Sequence, residues 1–315
     1  MQDQDLCGKR SFLRILLDIV CCNLRYGATI SDYFYFRFYN KTAFARKEFM
    51  TAKDKRRFYA AMNDLEERHS IQNKDSFNNL FAQYTKRDSI NTPYCGKADF
   101  CEFFHQHKVI FVKPIATGGG DGIEKIVLTP ESNLDEIYDH ICKKGACVIE
   151  AGIVQHPVMA SLHPQSVNSI RVSTVFDGEN VHIIFAQLRC GTGESFVDNH
   201  NAGGICMLVD KTEGKVASLA SGRKYLNLVR HPDTSVFLPG FQIPYWEKCL
   251  KLIDEVARKT KNVRYVGWDI AITPDDVCLI EANPGGDFNI YQESTQTGCK
   301  KETESYIKLI EQKTI

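Results

Sequence analysis

Tyr265-Val266-Gly267-Trp268-Asp269-Ile270-Ala271-Ile272, then Thr273-Pro274-Asp275-Asp276, then Val277-Cys278-Leu279-Ile280-Glu281-Ala282-Asn283 reads as two apolar strands joined by a tight turn. With Pro274-Asp275-Asp276 as a three-residue loop, Thr273 pairs with Val277 and Asp269 falls directly opposite Glu281. Opposed side chains in such a pair stand about 4.5–5.5 Å apart at Cβ. Two carboxylates at that separation repel each other unless a cation lies between them. Asn283, two residues beyond Glu281, points to the same face. Asp, Glu and Asn all supply the hard oxygen ligands that suit Mg2+, and Mn2+ accepts the same set. The competing reading exposes one carboxylate at a slipped register. Against it, Glu281 interrupts a strand that is otherwise apolar, so Asp269, Glu281 and Asn283 are the predicted metal ligands.

Upstream, Lys113 ends a short apolar strand and is followed by Thr117-Gly118-Gly119-Gly120-Asp121-Gly122. Glycines let backbone N–H groups approach phosphate oxygens without a Cβ in the way. This is neither a P-loop nor a dinucleotide fingerprint, because a strand follows the glycines where a helix would be required. A glycine hairpin alone is as well read as a solvent turn; the lysine before it and the carboxylates after it favour phosphate. Between these motifs lie Asn168-Ser169-Ile170-Arg171, then Arg189, then Asp198-Asn199-His200-Asn201-Ala202-Gly203-Gly204. Arginine forks bind phosphate or carboxylate, although a strand arginine more commonly serves a solvated or salt-bridged face.

The rest of the 315-residue chain is that of a globular protein: 43% hydrophobic, 25% charged, with 39 basic and 39 acidic residues. That balance gives no support for a nucleic-acid partner. The 12 cysteines are scattered without a CxxC pair, and the opening residues do not read as a signal peptide, so free thiols in a reducing cytoplasm are expected. Cys95, Cys101, His105 and His107 have a spacing that matches no common zinc site.

Residues 1–90 read as a helical region, with one helix over 53–69, and lead into a first lobe over 91–150 and a second over 151–315. Strands are expected at 109–113, 123–128, 146–150, 169–176, 181–190, 204–209, 215–219, 265–272 and 277–282, and helices at 133–143, 245–259 and 302–312. This mixture, with several antiparallel pairs, is an α+β pattern. The apolar run 12–24 is broken by Arg14 and Asp18 and is too short to span a bilayer. With the aromatic stretch 34–39 after it, it reads as an aromatic core segment or as a peripheral membrane contact.

In combination, these motifs resemble the ATP-grasp superfamily, and in detail its sugar-transfer-associated family. The resemblance runs through Phe111-Val112-Lys113-Pro114, His163-Pro164-Gln165-Ser166-Val167-Asn168-Ser169-Ile170-Arg171, Val197-Asp198-Asn199 with Gly203-Gly204, and Glu281-Ala282-Asn283-Pro284, over roughly residues 25–300. The Arg189, Asn199 and Gly203-Gly204 stretch is also similar to the glutamate-ligase branch. The resemblance implies two α+β lobes clasping ATP, preceded by a helical segment. It implies ATP-binding roles for Lys74 and Lys113, a phosphate lid at Gly118, Gly119, Gly120 and Gly122, and an adenine-reading hinge at Val148, Ile149 and Glu150. Asp269, Glu281 and Asn283 match its metal ligands, and Arg171, Arg189 and Asn199 its positions near the γ-phosphate and the acceptor. The sequence departs from the family after the hinge. Ala151-Gly152-Ile153-Val154-Gln155-His156 lacks the acidic residue that commonly meets the ribose. The implied activity is ATP- and Mg2+-dependent ligation of a carboxylate to an amine, through an acylphosphate, on a small-molecule or sugar-linked acceptor beside polysaccharide synthesis. A kinase for a hydroxyl acceptor and an inactive nucleotide-binding regulator are the alternatives, and the oligomeric state is left open.

Overall fold

Seven consecutive buried residues, Ile170–Phe176, form β5, and continuous burial of this kind requires cover on both faces of a sheet. β5 lies within a seven-stranded antiparallel sheet of order β11-β10-β5-β6-β7-β8-β9. The other members are β6 (Val181–Cys190), β7 (Ile205–Val209), β8 (Ala220–Gly222), β9 (Tyr225–Leu228), β10 (Tyr265–Ile272) and β11 (Val277–Asn283). The computed structural model describes residues 11–115, 122–286 and 288–313. One face of the sheet packs Val172, Leu188 and Trp268 against the helix Trp246–Ala257 and against Phe77 and Phe81 of the helix Lys74–Thr85. The other packs Val175, Phe185 and Tyr265 against Phe58, Phe288, Ile307 and Ile310, which belong to the helices Ala52–Met62, Phe288–Thr295 and Lys300–Lys313. The helix Ala52–Met62 and the two helices after β11 thus cover the same side of the large sheet.

A second antiparallel sheet has the order β1-β4-β2-β3, with β1 at Ser89–Asn91, β2 at Val109–Pro114, β3 at Glu124–Val127 and β4 at Cys147–Ala151. Its apolar face, including Ile110, Val112 and Ile149, is covered by Phe100, Phe103, Phe104 and Ile141 from the helices Lys97–Gln106 and Leu134–Lys143. Asn133 caps the second helix by accepting from the backbone N–H groups of Asp135 and Glu136.

Three local expectations are corrected. The last hairpin closes with a four-residue turn, 273–276, in which the Thr273 N–H donates to the Asp276 carbonyl at 2.8 Å and Ile272 pairs with Val277. Asp269 still stands opposite Glu281, because a register shift after Asp269 leaves Ile280 as an extra residue on β11. The single helix expected over 53–69 is two, Ala52–Met62 and Leu65–Gln72. Asn63 breaks it: its side chain accepts the Tyr265 N–H and donates to the carbonyls of Tyr265 and Pro284. Residues 215–219 form only the isolated bridges Val209–Val216 and Lys215–Gln242. The cysteines among the described residues are all free thiols.

Candidate active site

The two sheets face each other across a cleft of about 770 Å3. On the small-sheet side, Lys113 of β2 and Glu150 of β4 lie diagonally across the strand pair and form an ion pair of 2.5 Å. Arg87 approaches the same Glu150 oxygen at 3.0 Å. Burial alone would raise the pKa of Glu150, but the Arg87 and Lys113 charges outweigh it and hold the carboxyl below its usual range. Arg87 also donates to the Leu279 and Ile280 carbonyls of β11, at 2.9 and 3.0 Å. A single buried guanidinium therefore fastens the small sheet to the large one. Lys74, in the first turn of its helix, donates to the Pro114 carbonyl at 2.5 Å at the end of β2. Burial first, and then Lys113, lower its pKa, while Glu281 and Glu150 oppose this.

On the large-sheet side, neighbouring strands bring Arg171 of β5 beside Asp269 of β10, and Asp269 beside Glu281 of β11. Arg171 grips Asp269 with Nε and Nη2, the latter at 2.7 Å, and Arg189 Nη2 reaches the same carboxylate at 2.5 Å. Arg189 is aimed by Ser169, whose hydroxyl lies 3.2 Å from Nη2 and itself donates to Asp198 at 2.5 Å. Burial would raise the Asp269 pKa; Arg171 and Arg189 overcome it and keep the carboxyl ionised. Glu281 goes the other way. Enclosure in the cleft and the Asp269 charge raise its pKa, although about half of its side chain is open to the cleft and Arg171 lies 3.7 Å away. Asn283 donates to Glu281 at 2.6 Å.

A carboxylate offers about four acceptor positions, and the arginines take three on Asp269. Asp269 also stands directly opposite Glu281 across the β10–β11 pair. Among the described residues, no group of three or more His, Cys, Asp or Glu is placed to hold a metal. The available set is the Asp269–Glu281 pair with the Asn283 amide oxygen. It is all oxygen, with one carboxyl short of positive charge, and this fits a hard divalent cation that takes its remaining ligands from water or phosphate.

A second chamber of about 820 Å3 adjoins the first, with Arg171, Asn283, Tyr35, His200 and Glu293 in its wall. Arg189, Asn199 and Glu281 line both. Burial pushes the Glu293 carboxyl up to about 7, against the pull of Arg37 and Arg223. Asn199 begins a tight turn in which Gly203 takes φ 98° and the Gly204 N–H donates to the Asn199 carbonyl at 3.1 Å. A Cβ on Gly204 would come within 2.3 Å of the Asp198 carbonyl oxygen, so no larger residue fits there.

Of the residues singled out in the sequence, Lys113, Glu150, Arg189, Asn199, Asp269 and Glu281 line the first cleft, and Arg171 and Asn283 line the second. Lys74 lies beside Lys113 at the cleft edge. Val148 and Ile149 are wholly buried within the small sheet, and the wall at the hinge is made by Glu150, Ala151 and Ile153 instead. Gly118, Gly119 and Gly120 lie outside the described residues; Gly122 is described and takes φ 74°. Sequence reasoning missed Arg87, Glu293 and the Ser169–Asp198 pair. The Asn168-Ser169 and Asp198-Asn199 motifs carried the signal for the last of these.

The family model for sugar-transfer associated ATP-grasp proteins matches residues 36–308. No curated protein matches the sequence. Among solved structures, the VanG D-Ala:D-Ser ligase from Enterococcus faecalis is similar at a TM-score of 0.52 and 11% identity, covering 79% of this chain and 64% of that one. The ATP-grasp ligase PsnB complexed with a minimal precursor follows at a TM-score of 0.49 and 13% identity, over 79% and 64%. The D-alanine-D-alanine ligase from Coxiella burnetii gives 0.49 and 9%, over 79% and 59%. The aligned region thus spans somewhat less than two thirds of each of these enzymes, and the likeness is one of fold.

Proposed function

Because the chain belongs to the sugar-transfer-associated ATP-grasp family, we propose that it is an ATP- and Mg2+-dependent ligase that joins a carboxylate to an amine or related nucleophile through an acylphosphate. The observation that carries this reading is the junction of the two chambers at Arg189, Asn199 and Glu281. A nucleotide in the first chamber would have its phosphates between Lys74 and Lys113 on one wall and the carboxylates on the other. The second chamber would then hold the acceptor against Arg171 and Arg189. Mg2+, when bound by Asp269, Glu281 and Asn283, supplies charge neutralisation at the transferring phosphoryl group.

The acceptor carboxylate oxygen attacks the γ-phosphorus, the bond to the bridging oxygen breaks, and ADP leaves. The nucleophile then attacks the acyl carbon, and phosphate departs with the bonding pair. Arg171 and Arg189 orient the carboxylate, and Asn199 positions it at the mouth between the chambers. Glu293, a carboxyl that ionises near neutrality in the second chamber, accepts the proton that the nucleophile loses. A sugar-linked acceptor in polysaccharide synthesis is the context that the family's name suggests.

The test is a screen of amino acids and uronic-acid sugars with Mg-ATP, reading ADP and hydroxamate in the presence of hydroxylamine. An acylphosphate is intercepted as the hydroxamate. ADP with a stable phosphorylated acceptor and no hydroxamate would assign a kinase, AMP with pyrophosphate would exclude both, and nucleotide binding without turnover would assign a regulator.

A further inference from the structure

The helix Phe12–Tyr26 has two apolar sides. Its inner side, with Ile15, Ile19 and buried Cys22, packs on the aromatic cluster of Tyr33, Phe36, Phe38 and Tyr39. That cluster absorbs the aromatic stretch noted in the sequence. The outer side presents Phe12, Leu13, Leu16, Leu17, Val20 and Leu24, which are between 45% and 80% exposed. At about 100° per residue, the last five of these fall within an arc of about 100° opposite the packed side. An apolar helix face is ordinarily buried, and here nothing in the chain's described residues covers the outer stripe.

The C-terminal end of this helix opens on a pocket of about 810 Å3 whose cations are Arg25, Arg46, Lys47, Lys53, Arg57 and Lys300, against the single carboxylate of Asp54. Arg46 is paired with Asp18 and Lys300 with Asp54. The other four have no carboxylate within bridging distance among the described residues. Gly27 ends the helix at φ 65°, with its Cα so near Lys53 that an added Cβ would lie 2.5 Å from the lysine Cβ. The Tyr26 hydroxyl donates to the Ala43 carbonyl at 3.5 Å. That contact places the helix Ala43–Lys47, with its exposed Phe44, beside the same end.

We propose that Phe12–Tyr26 is an interfacial helix that seats the protein on an anionic lipid bilayer, with the adjoining basic pocket taking up lipid phosphates. At about 1.5 Å per residue the helix is about 22 Å long, short of the roughly 30 Å of a hydrocarbon core, so it lies in the plane of the interface. Among the described residues, no helix is long and apolar enough to cross a membrane. The occupant follows from charge. Cores of protein interfaces are depleted of charged residues. An uninterrupted apolar stripe flanked by exposed Arg14 and Arg25, and ending on four uncompensated cations, matches acyl chains beneath anionic headgroups.

The experiment is co-sedimentation of the full chain with vesicles of phosphatidylcholine alone and of phosphatidylcholine with phosphatidylserine. The protein should pellet with the anionic vesicles, not with the neutral ones, and less so as salt is raised. Leu16→Glu/Leu24→Glu should abolish pelleting. Arg25→Gln/Arg57→Gln should weaken it roughly 25-fold, at about fivefold per cation. Both variants change exposed side chains, so melting temperature and nucleotide binding should match the wild type. Absence of pelleting with anionic vesicles, or unchanged pelleting of the Leu16→Glu/Leu24→Glu variant, would overturn the proposal. So would a dimer that this variant dissociates, with no vesicle binding, since the stripe would then belong to a second copy.

Discussion

Asp269→Asn should destabilise the fold before any ligand is considered. Asp269 is the shared counter-charge of Arg171 and Arg189, and the three side chains are 3%, 5% and 7% exposed. The amide keeps the shape and one accepting oxygen but removes the charge. Two buried guanidiniums then face each other, with Glu281, 3.7 Å from Arg171, and the Asp198 charge acting on Arg189 to compensate in part. Breaking a buried ion pair by removing one partner costs about 3–5 kcal/mol. The retained oxygen argues for about 3 kcal/mol, a fall in melting temperature on the order of 5–10 °C for a chain of this size. The measurement is thermal and guanidinium unfolding without nucleotide or metal, which separates the fold from turnover. Arg189→Met should cost less in the Asp269→Asn background than alone, because it relieves one unpaired cation. The pH dependence has a definite sign. The arginines hold the folded Asp269 carboxyl below its unfolded value, so its contribution is complete above about pH 4 and is lost as pH falls through the folded value. The variant should therefore show a shallower acid limb. A melting temperature within about 1 °C of wild type with an unchanged acid limb would refute the reasoning.

Three further outcomes are expected. Lys113→Ala should lower ATP affinity roughly 10–100-fold, the worth of a charge-assisted contact, as read by calorimetry. The melting temperature should change little, because Arg87 still pairs with Glu150. Glu293→Gln should remove the rise of turnover with pH through about 7 and flatten stability over the same window. The folded carboxyl ionises near 7 and the unfolded one near about 4.3, so wild-type stability is full below the lower value and declines as pH rises through the higher. Gly204→Ala should cost about 1–3 kcal/mol by overpacking against the Asp198 carbonyl, with turnover falling further as Asn199 is displaced; equal melting and turnover would argue against a positioning role for this turn.

What could be read from the sequence was set by periodicity and by chemistry that stands out of its surroundings. The strands around Asp269 and Glu281 were legible because a carboxylate in an apolar run is conspicuous. Their pairing was reached through the wrong turn: a four-residue turn and the extra Ile280 give the same register as a three-residue loop without a bulge. The break at Asn63 was hidden because its reason, the backbone of Tyr265 and Pro284, is far away in sequence. Arg87 sits in Lys86-Arg87-Asp88, which looks like any solvated turn, and only the meeting of two sheets buries it. Arg171 and Arg189 stood out as strand arginines suited to a ligand or to a salt bridge, but their shared counter-charge, Asp269, was not legible, since a strand register decides which neighbour a guanidinium meets.

The turn residues Lys86 and Arg87 also bear on how the protein behaves at high concentration. β11 is the last strand of the large sheet, and an edge strand of apolar residues invites another chain to pair with it. Its outward carbonyls at Val277, Leu279 and Ile280 are occupied by Lys86 Nζ at 3.2 Å and by the two arms of Arg87 at 2.9 and 3.0 Å. The extra residue at Ile280 breaks the even spacing that an incoming strand would need. The residues that tie the lobes together thus also shield the sheet from self-association. A Lys86→Ala/Arg87→Met chain should scatter light increasingly with concentration, at temperatures where the native chain stays clear.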